Sequence, residues 1–231
     1  MKSRLAIDGG EPVRTKPFPS RAAGFGEEEM AHLRDVVESG HLFRVGGKKT
    51  QQLEERFAAL LGMKHAQAVT SGTAALHTAI GAVNPDPGDE IITTPLTDMG
   101  TVIGIIYQNA IPIFADVEPG GYHLDPDSVA REITPRTKAI IVVHLWGMAA
   151  RMDEFLALGR EHGIPIIEDC AQAYLTEYKG KLAGTMGDVG CFSLQSSKHM
   201  TCGDGGLVVS NNDDLIRRAR LFCDKGWDRS A

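Results

Sequence analysis

The sequence lacks the features that are typical of nucleic-acid-binding proteins and of membrane proteins. Its 231 residues contain 24 Lys and Arg against 30 Asp and Glu, a formal net charge of −6, and no extended run of basic residues. Such a surface does not attract nucleic acid or an anionic membrane, so we expect neither as a partner. No stretch approaches the roughly 18 consecutive apolar residues of a membrane-spanning helix, and the segment MKSRLAIDGGEPV has no apolar core of a signal peptide. These absences predict a cytoplasmic protein.

Paired cysteines and several common catalytic motifs are also missing. The four cysteines, Cys170, Cys191, Cys202 and Cys223, are far apart and form no C-x-x-C pair, so we expect no metal site and no disulfide framework. The sequence contains no G-x-G-x-x-G, G-x-x-x-x-G-K-[ST], H-E-x-x-H or G-x-S-x-G motif. The sequence therefore does not favour any of four common classes: a dinucleotide-binding oxidoreductase, a P-loop protein, a zinc protease or a serine hydrolase.

Short apolar segments alternate with helical segments from residue 65 onward. The strand-like segments are HAQAVTS, DEIITTP, IPIFADV, KAIIVVHLWG, IPIIEDCA, GDVGCFSLQ and GGLVVSN, and helical patterns such as TAALHTAIGAV and RMDEFLALGREHG lie between many of them. This order implies crossover connections. It predicts an α/β fold of three layers, α/β/α, with a mixed but mostly parallel sheet, and the runs that are apolar throughout are typical of strands buried on both faces.

The beginning of the chain has a different character. Residues 1–25 carry Pro12, Pro17 and Pro19 without periodicity, which predicts an extended N-terminal arm. Two helical patterns follow and end at Gly40 and Gly62, as expected of glycines just beyond helices. We predict one large domain over residues 26–231.

Polar residues follow several predicted strands, where open parallel sheets bind their ligands. In VTSGTAAL a helix starts near Gly72 and Thr73, and its free backbone N–H groups suit a phosphate. A plain helix cap at Ser71 explains the same pattern equally well. Thr94, Pro95, His144 and Trp146 end two further strands and are candidates for the pocket wall, although a lone His or Trp is more often a packed core residue.

Two further strand ends carry a carboxylate and an amine. In IPIIEDCAQA, Glu168 and Asp169 precede Gln172, and a carboxylate there could keep a pyridine nitrogen protonated. A helix cap or a structural ion pair is the alternative. In CFSLQSSK, Ser193 lies in a strand and Lys198 in the turn beyond it, where a desolvated lysine can attack a carbonyl. A solvated surface lysine is the ordinary alternative.

Taken in order, these segments resemble one enzyme family. SGTAALH, GDEIITTP, TKAIIVVHLWG, IIEDCAQAY and GDVGCFSLQSSK, with matching flanks from FPS near residue 18 to VVSNNDDL near residue 214, are similar to the DegT/DnrJ sugar aminotransferases. That family lies within the fold-type-I group of enzymes that use pyridoxal 5'-phosphate (PLP) and is related to aspartate aminotransferase. The resemblance implies that this chain is the large domain of a PLP-dependent transferase.

The resemblance also implies roles for single residues in cofactor binding. Gly72 and Thr73 match the helix start that holds the PLP phosphate, and Ser193 matches a hydroxyl that binds it too. Asp169 matches the carboxylate paired with the pyridinium nitrogen, and Gln172 matches the residue beside the phenolic oxygen.

Lys198 matches the catalytic lysine, which holds PLP as a Schiff base and then moves the substrate proton. Relatives that dehydrate sugars carry histidine at this site, so Lys198 favours transamination. The implied reaction transfers an amino group from glutamate or glutamine to a keto sugar, expected to be nucleotide-linked, or to a keto-cyclitol. Family members form homodimers, and we expect the same of a full-length protein.

Two departures from the family pattern leave an alternative open. Asp98 stands where many members have an aromatic residue that stacks on the cofactor, so it could instead contact a substrate hydroxyl or a cationic group. The family's smaller C-terminal domain has no counterpart in this sequence, which we expect to be a truncated form. The alternative is a family member that binds PLP without catalysis, as a regulatory protein.

Overall fold

The computed structural model describes residues 4–17 and 24–228, and the chain divides into two compact units, Met1–Gly47 and Lys48–Ala231. The first unit contains a 3-10 helix, Ala6–Asp8, and helix α1, Glu27–Ser39. Three glutamates in the first turn of α1 suit its positive end, and Gly40 ends the helix as predicted, with a φ of 69°. The extended arm over residues 1–25 stays a prediction, and the segment FPS lies outside the described residues.

The second unit contains the sheet and six helices among the described residues. The helices are α2 Lys48–Leu61, α3 Gly72–Val83, α4 Met99–Tyr107, α5 Pro126–Glu132, α6 Met152–His162 and α7 Asp213–Cys223, with a 3-10 turn at Leu145–Gly147. The strands are β1 His65–Val69, β2 Glu90–Thr93, β3 Ile111–Phe114, β4 Thr137–Val143, β5 Ile166–Asp169, β6 Glu177–Tyr178, β7 Lys181–Leu182, β8 Val189–Ser193 and β9 Gly206–Ser210. Every strand predicted above is present, with ends shifted by a few residues.

Seven of these strands form one sheet in the order β1-β9-β8-β5-β4-β2-β3. Strand β9 runs antiparallel to both neighbours, and the other pairs are parallel. Side chains alternate between the faces of β4: Ile141 packs with α3 and α7, whereas Ile140 packs with α6 on the opposite side. Helices thus cover both faces, and the predicted three-layer α/β/α fold with a mostly parallel mixed sheet is confirmed.

One small element was not predicted. Strands β6 and β7 form a two-residue antiparallel hairpin outside the main sheet. Lys179 and Gly180 at its turn both have positive φ, 50° and 77°, as a tight hairpin turn requires. Lysine is not a usual residue for that conformation, so no turn signal predicts this hairpin. Across the described residues, no helix combines the length and the apolar character needed to cross a membrane.

Candidate functional site

One cavity opens at the edge of the sheet where the parallel strands end. Its volume is about 490 Å³, and its wall includes residues at or just beyond the ends of β4, β5 and β8 and the beginnings of α3 and α4. All six residues for which the family resemblance implies a role contribute to this wall: Gly72, Thr73, Asp169, Gln172, Ser193 and Lys198. The structure therefore brings the predicted set together, and the role of each residue stays a prediction.

The start of α3 forms one end of the cavity. Ser71 caps the helix, since its hydroxyl accepts a hydrogen bond from the Ala74 N–H at 3.0 Å. Helix geometry leaves the N–H groups of Gly72 and Thr73 without an acceptor inside the helix. A Cβ added at Gly72 would lie 2.6 Å from Ser193 Cβ, so only glycine lets α3 approach β8 this closely. The cap and the anion site proposed for this segment are thus compatible.

Ser193 adds a hydroxyl to the same end. Its side chain is buried, and its Oγ accepts a 3.4 Å hydrogen bond from the Gln195 N–H. Within the described part of the chain, no acceptor lies within hydrogen-bonding distance of the Ser193 hydroxyl proton. Two backbone N–H groups and one hydroxyl can therefore donate to an anion at this end.

Asp169 lies at the buried side of the cavity, at the end of β5. Its Oδ1 accepts from the Ala171 N–H at 3.0 Å, and its Oδ2 accepts from the Thr101 hydroxyl at 2.7 Å. Burial raises the pKa of Asp169, and these two hydrogen bonds act in the opposite direction. A cation bound beside the carboxylate would stabilise its charged form.

Glu168, the neighbour of Asp169, has a structural role. His144 Nδ1 accepts from the Ala150 N–H at 3.1 Å, so the ring proton is on Nε2 and is donated to Glu168 at 2.9 Å. The Glu168 carboxylate also accepts backbone N–H groups from Gly184, Met186 and Gly187. His144, Glu168 and Cys170 are close enough together to bind a metal, but the nitrogen and oxygen atoms of this group already have hydrogen-bond partners.

Gln172 is fixed by the segment after β4. The Trp146 N–H donates to Gln172 Oε1 at 2.9 Å, which leaves the amide NH₂ of Gln172 as a donor. Trp146 itself adopts a left-handed φ of 54°, is 60% exposed and does not line the cavity. Of the other candidates for the wall, His144 lines it, and Thr94 and Pro95 do not.

Lys198 lies in the turn between β8 and β9. The turn is closed by hydrogen bonds from the Lys198 N–H to the Gln195 carbonyl and from the Leu194 N–H to the Gly205 carbonyl, both 2.8 Å. The side chain is half-buried. Its positive charge helps to lower the pKa of Asp169, against the larger effect of burial. The charges of the Lys198 amine and the Asp169 carboxylate therefore influence each other within one cavity.

Asp98 also lines the cavity and caps α4. Its Oδ1 accepts from the Gly100 N–H at 2.7 Å. A Cβ added at Gly100 would lie 2.7 Å from Thr73 Oγ1 and 2.9 Å from Asp98 Oδ1, so this glycine lets the starts of α3 and α4 meet. The carboxylate therefore has a structural function in addition to any contact with a ligand.

Several wall residues escaped the sequence reasoning. They are Thr97, Thr101, Gln195, Ser197 and Asp204, together with apolar residues such as Leu76 and Val143. Thr101 is the most consequential because it contacts Asp169, yet it lies within α4 in a segment that shows only helical periodicity. No sequence signal marks it. Thr97 follows Pro95 beyond β2, so the rule of reading polar residues at strand ends could have found it.

The sheet order, with a single antiparallel strand and a lysine turn at the strand ends, is the architecture of PLP-dependent transferases of fold type I. The chain belongs to the DegT/DnrJ/EryC1/StrS aminotransferase family, whose sequence profile matches residues 24–231.

Three relatives illustrate the match. The chain is 39% identical over 228 residues to the L-glutamine:2-deoxy-scyllo-inosose aminotransferase of Streptoalloteichus tenebrarius, covering 94% of this chain and 52% of the relative. An aminotransferase structure from Psychrobacter cryohalolentis superposes with a TM-score of 0.86 at 35% identity, covering 94% of this chain and 54% of the other. NtdA from Bacillus subtilis, with bound cofactor PMP, gives a TM-score of 0.78 at 27% identity, covering 85% and 44%. The chain spans about half the length of the curated relatives it matches.

Proposed function

We propose that this chain binds PLP and forms the cofactor-binding part of an aminotransferase. The reaction transfers an amino group from glutamine or glutamate to a keto sugar or a keto-cyclitol. The observation that carries the proposal is the convergence of a lysine, a buried carboxylate and an open helix start on one cavity. The name of the Streptoalloteichus relative, with a glutamine donor and a cyclic keto-polyol, supports the substrate class.

The chemistry of the wall fits each part of PLP. A phosphate dianion suits the N–H groups of Gly72 and Thr73 and the hydroxyl of Ser193, which the close approach of α3 to β8 at Gly72 brings together. The buried Asp169 suits a protonated ring nitrogen, because the two charges offset each other's desolvation. The free amide NH₂ of Gln172 suits a phenolate oxygen.

Lys198 is the residue through which this chain takes part directly in the reaction. Its amine would hold PLP covalently, as a nucleophile, and when free would serve as general base and general acid, moving the proton from the substrate carbon to the cofactor carbon. PLP, when bound, supplies an electron sink for the charge that proton removal leaves behind. Asp169 would carry a negative charge beside the protonated ring nitrogen of bound PLP, and its burial would strengthen the attraction between the two charges.

We also propose the wider organisation that the family resemblance implies. Residues 26–231 form the large domain, residues 1–25 form an arm, and a protein of the relatives' full length adds a smaller domain and pairs as a homodimer in the cytoplasm. Ultracentrifugation of the protein at that length tests the dimer.

Reductive trapping tests the covalent role of Lys198. The chain is mixed with PLP, treated with borohydride and digested, and the labelled peptide is identified by mass spectrometry. We expect one label, on Lys198, that is lost in Lys198→Ala and kept in Lys181→Ala, which removes an exposed lysine of the small hairpin. An undiminished label in Lys198→Ala would remove the lysine from this role.

Turnover separates the enzyme from the non-catalytic alternative. A chain extended to the length of its relatives should transfer nitrogen from glutamine or glutamate to members of a panel of keto-cyclitols and keto sugars. PLP binding without transfer to any acceptor would favour the regulatory protein.

A further inference from the structure

Two threonine hydroxyls form a short chain that ends on Asp169. Thr97 Oγ1 and Thr101 Oγ1 are 2.7 Å apart, and Thr101 Oγ1 is 2.7 Å from Asp169 Oδ2. A hydroxyl has one proton, and that of Thr101 is donated to the carboxylate, so the Thr97 hydroxyl must be the donor to Thr101. Both protons therefore point toward Asp169.

We propose that Thr101, supported by Thr97, is a positioning residue that fixes the orientation of the Asp169 carboxylate and keeps it negatively charged for the ring nitrogen of the cofactor. This inference rests on the proposed function. Asp169 is held from two sides: Ala171 follows it in the chain, whereas Thr101 belongs to α4. Because each oxygen has its own donor, rotation of the carboxylate would break both bonds.

The contact between Thr101 and Asp169 is buried at the wall of the cavity. Thr101 is 1% exposed and Asp169 is 5% exposed, and a donor to a charged acceptor is worth more in such surroundings than in solvent. Loss of the hydroxyl would leave Oδ2 without its protein donor. The ionised carboxylate would then be less stable, whereas its protonated form would need no such donor.

The other titratable groups around Asp169 are unchanged by a substitution at Thr101. They lie directly after β4, in β8, in the turn after β8, and on either side of Asp169 in the chain; they are His144, Cys191, Lys198, Glu168 and Cys170. Burial raises the pKa of Asp169, and the Thr101 hydrogen bond is one of the contacts that lower it. Thr101→Val keeps nearly the same shape and removes the hydroxyl, which is the donor to Asp169 and the acceptor of the Thr97 proton, so it should raise the pKa of Asp169 further.

The test follows the Asp169 carboxyl signal by ¹³C NMR in the 231-residue chain without cofactor, with Asp169→Asn to identify the signal. We expect Thr101→Val to move the titration to higher pH and Thr101→Ser to restore it. Thr93→Val is the matched control, because Thr93 is also buried but its hydroxyl donates to the Ile141 carbonyl. A Thr101→Val titration that coincides with that of Thr93→Val would overturn the proposal.

PLP affinity provides the second readout. Thr101→Val should weaken PLP binding about tenfold, equivalent to about 1.4 kcal/mol, and Thr101→Ser should recover it. A moved titration with unchanged PLP affinity would also overturn the proposal, because the hydroxyl would then not act on the cofactor. If Thr101→Val fails to fold, Thr97→Val replaces it and should move the titration less but in the same direction.

Failure of the proposed function gives a different pattern. If the unsubstituted chain binds no PLP while the titration of Thr101→Val still moves, the proposed cofactor is wrong. The effect of Thr101 on the Asp169 carboxylate would then still stand.

Discussion

A single methyl group at Gly72 tests the close approach of α3 to β8 on which the proposed phosphate site depends. A Cβ there would lie 2.6 Å from Ser193 Cβ and 3.2 Å from Ser193 Cα, closer than carbon atoms pack in folded proteins. Forcing extra atoms into such a space costs about 1–3 kcal/mol. Alanine is better than glycine by about 1 kcal/mol inside a helix, and by less at a first helical position. We therefore expect Gly72→Ala to lower the free energy of unfolding by about 1–2 kcal/mol.

A second substitution, Ser193→Gly, tests whether the destabilisation by Gly72→Ala arises from the contact with Ser193. It removes Ser193 Cβ and Oγ, the two side-chain atoms that the added methyl would meet. In that background Gly72→Ala should cost little, so urea denaturation of the four proteins should give a coupling energy of about 1 kcal/mol or more. A coupling near zero would refute the close approach of α3 and β8, since the loss would then come from the helix alone.

Two further predictions concern carboxylates. Asp98→Ala should lower the free energy of unfolding by about 1 kcal/mol, because the carboxylate caps α4; Asp98→Asn keeps an acceptor and should lose much less, and equal losses in urea would contradict the capping role. Burial raises the pKa of Asp169 above 3.8, so the folded chain binds its proton more tightly than the unfolded chain does. Its contribution to stability is therefore most favourable below pH 3.8 and declines as the pH rises to the folded pKa. Asp169→Asn should flatten this decline in thermal unfolding followed against pH, and an unchanged slope would exclude Asp169 as its source.

The order of helices and strands could be predicted because the spacing of apolar residues agrees with the positions of the glycines and other turn residues in this sequence. Strand β4 contains a continuous apolar run, AIIVV, which is buried on both faces as that pattern indicates. Helices α1 and α2 end at glycines with positive φ, where the sequence places them. The hairpin of β6 and β7 could not be predicted, since its strands are too short for any alternation to show.

Site residues could be predicted where a polar side chain directly follows a predicted strand. Those supplied from within a helix could not. Glu168 and Asp169 looked equivalent as carboxylates beyond β5, but successive strand residues face opposite sides of a sheet. Only Asp169 lines the cavity, and Glu168 binds the segment from Gly184 to Gly187. Alternation alone could have separated the two. Thr101 could not be found in this way, because its hydrogen bond to Asp169 joins two segments far apart in the sequence and no local pattern indicates such a contact.

The reversal of one strand determines how the lysine is held. Because β9 returns antiparallel to β8, the chain between them never leaves the edge of the sheet where the cavity opens. A parallel β9 would need a crossover to the opposite edge, and the lysine would then depend on a separate helix for its placement. Here Ser193 pairs with Gly206 at the base of the turn, so both ends of the loop that carries Lys198 are anchored in the same ladder of hydrogen bonds. The length of this loop therefore sets the reach of the amine, and insertions or deletions between residues 194 and 205 would shift the part of the wall that this loop supplies while leaving the helix starts and the end of β5 in place.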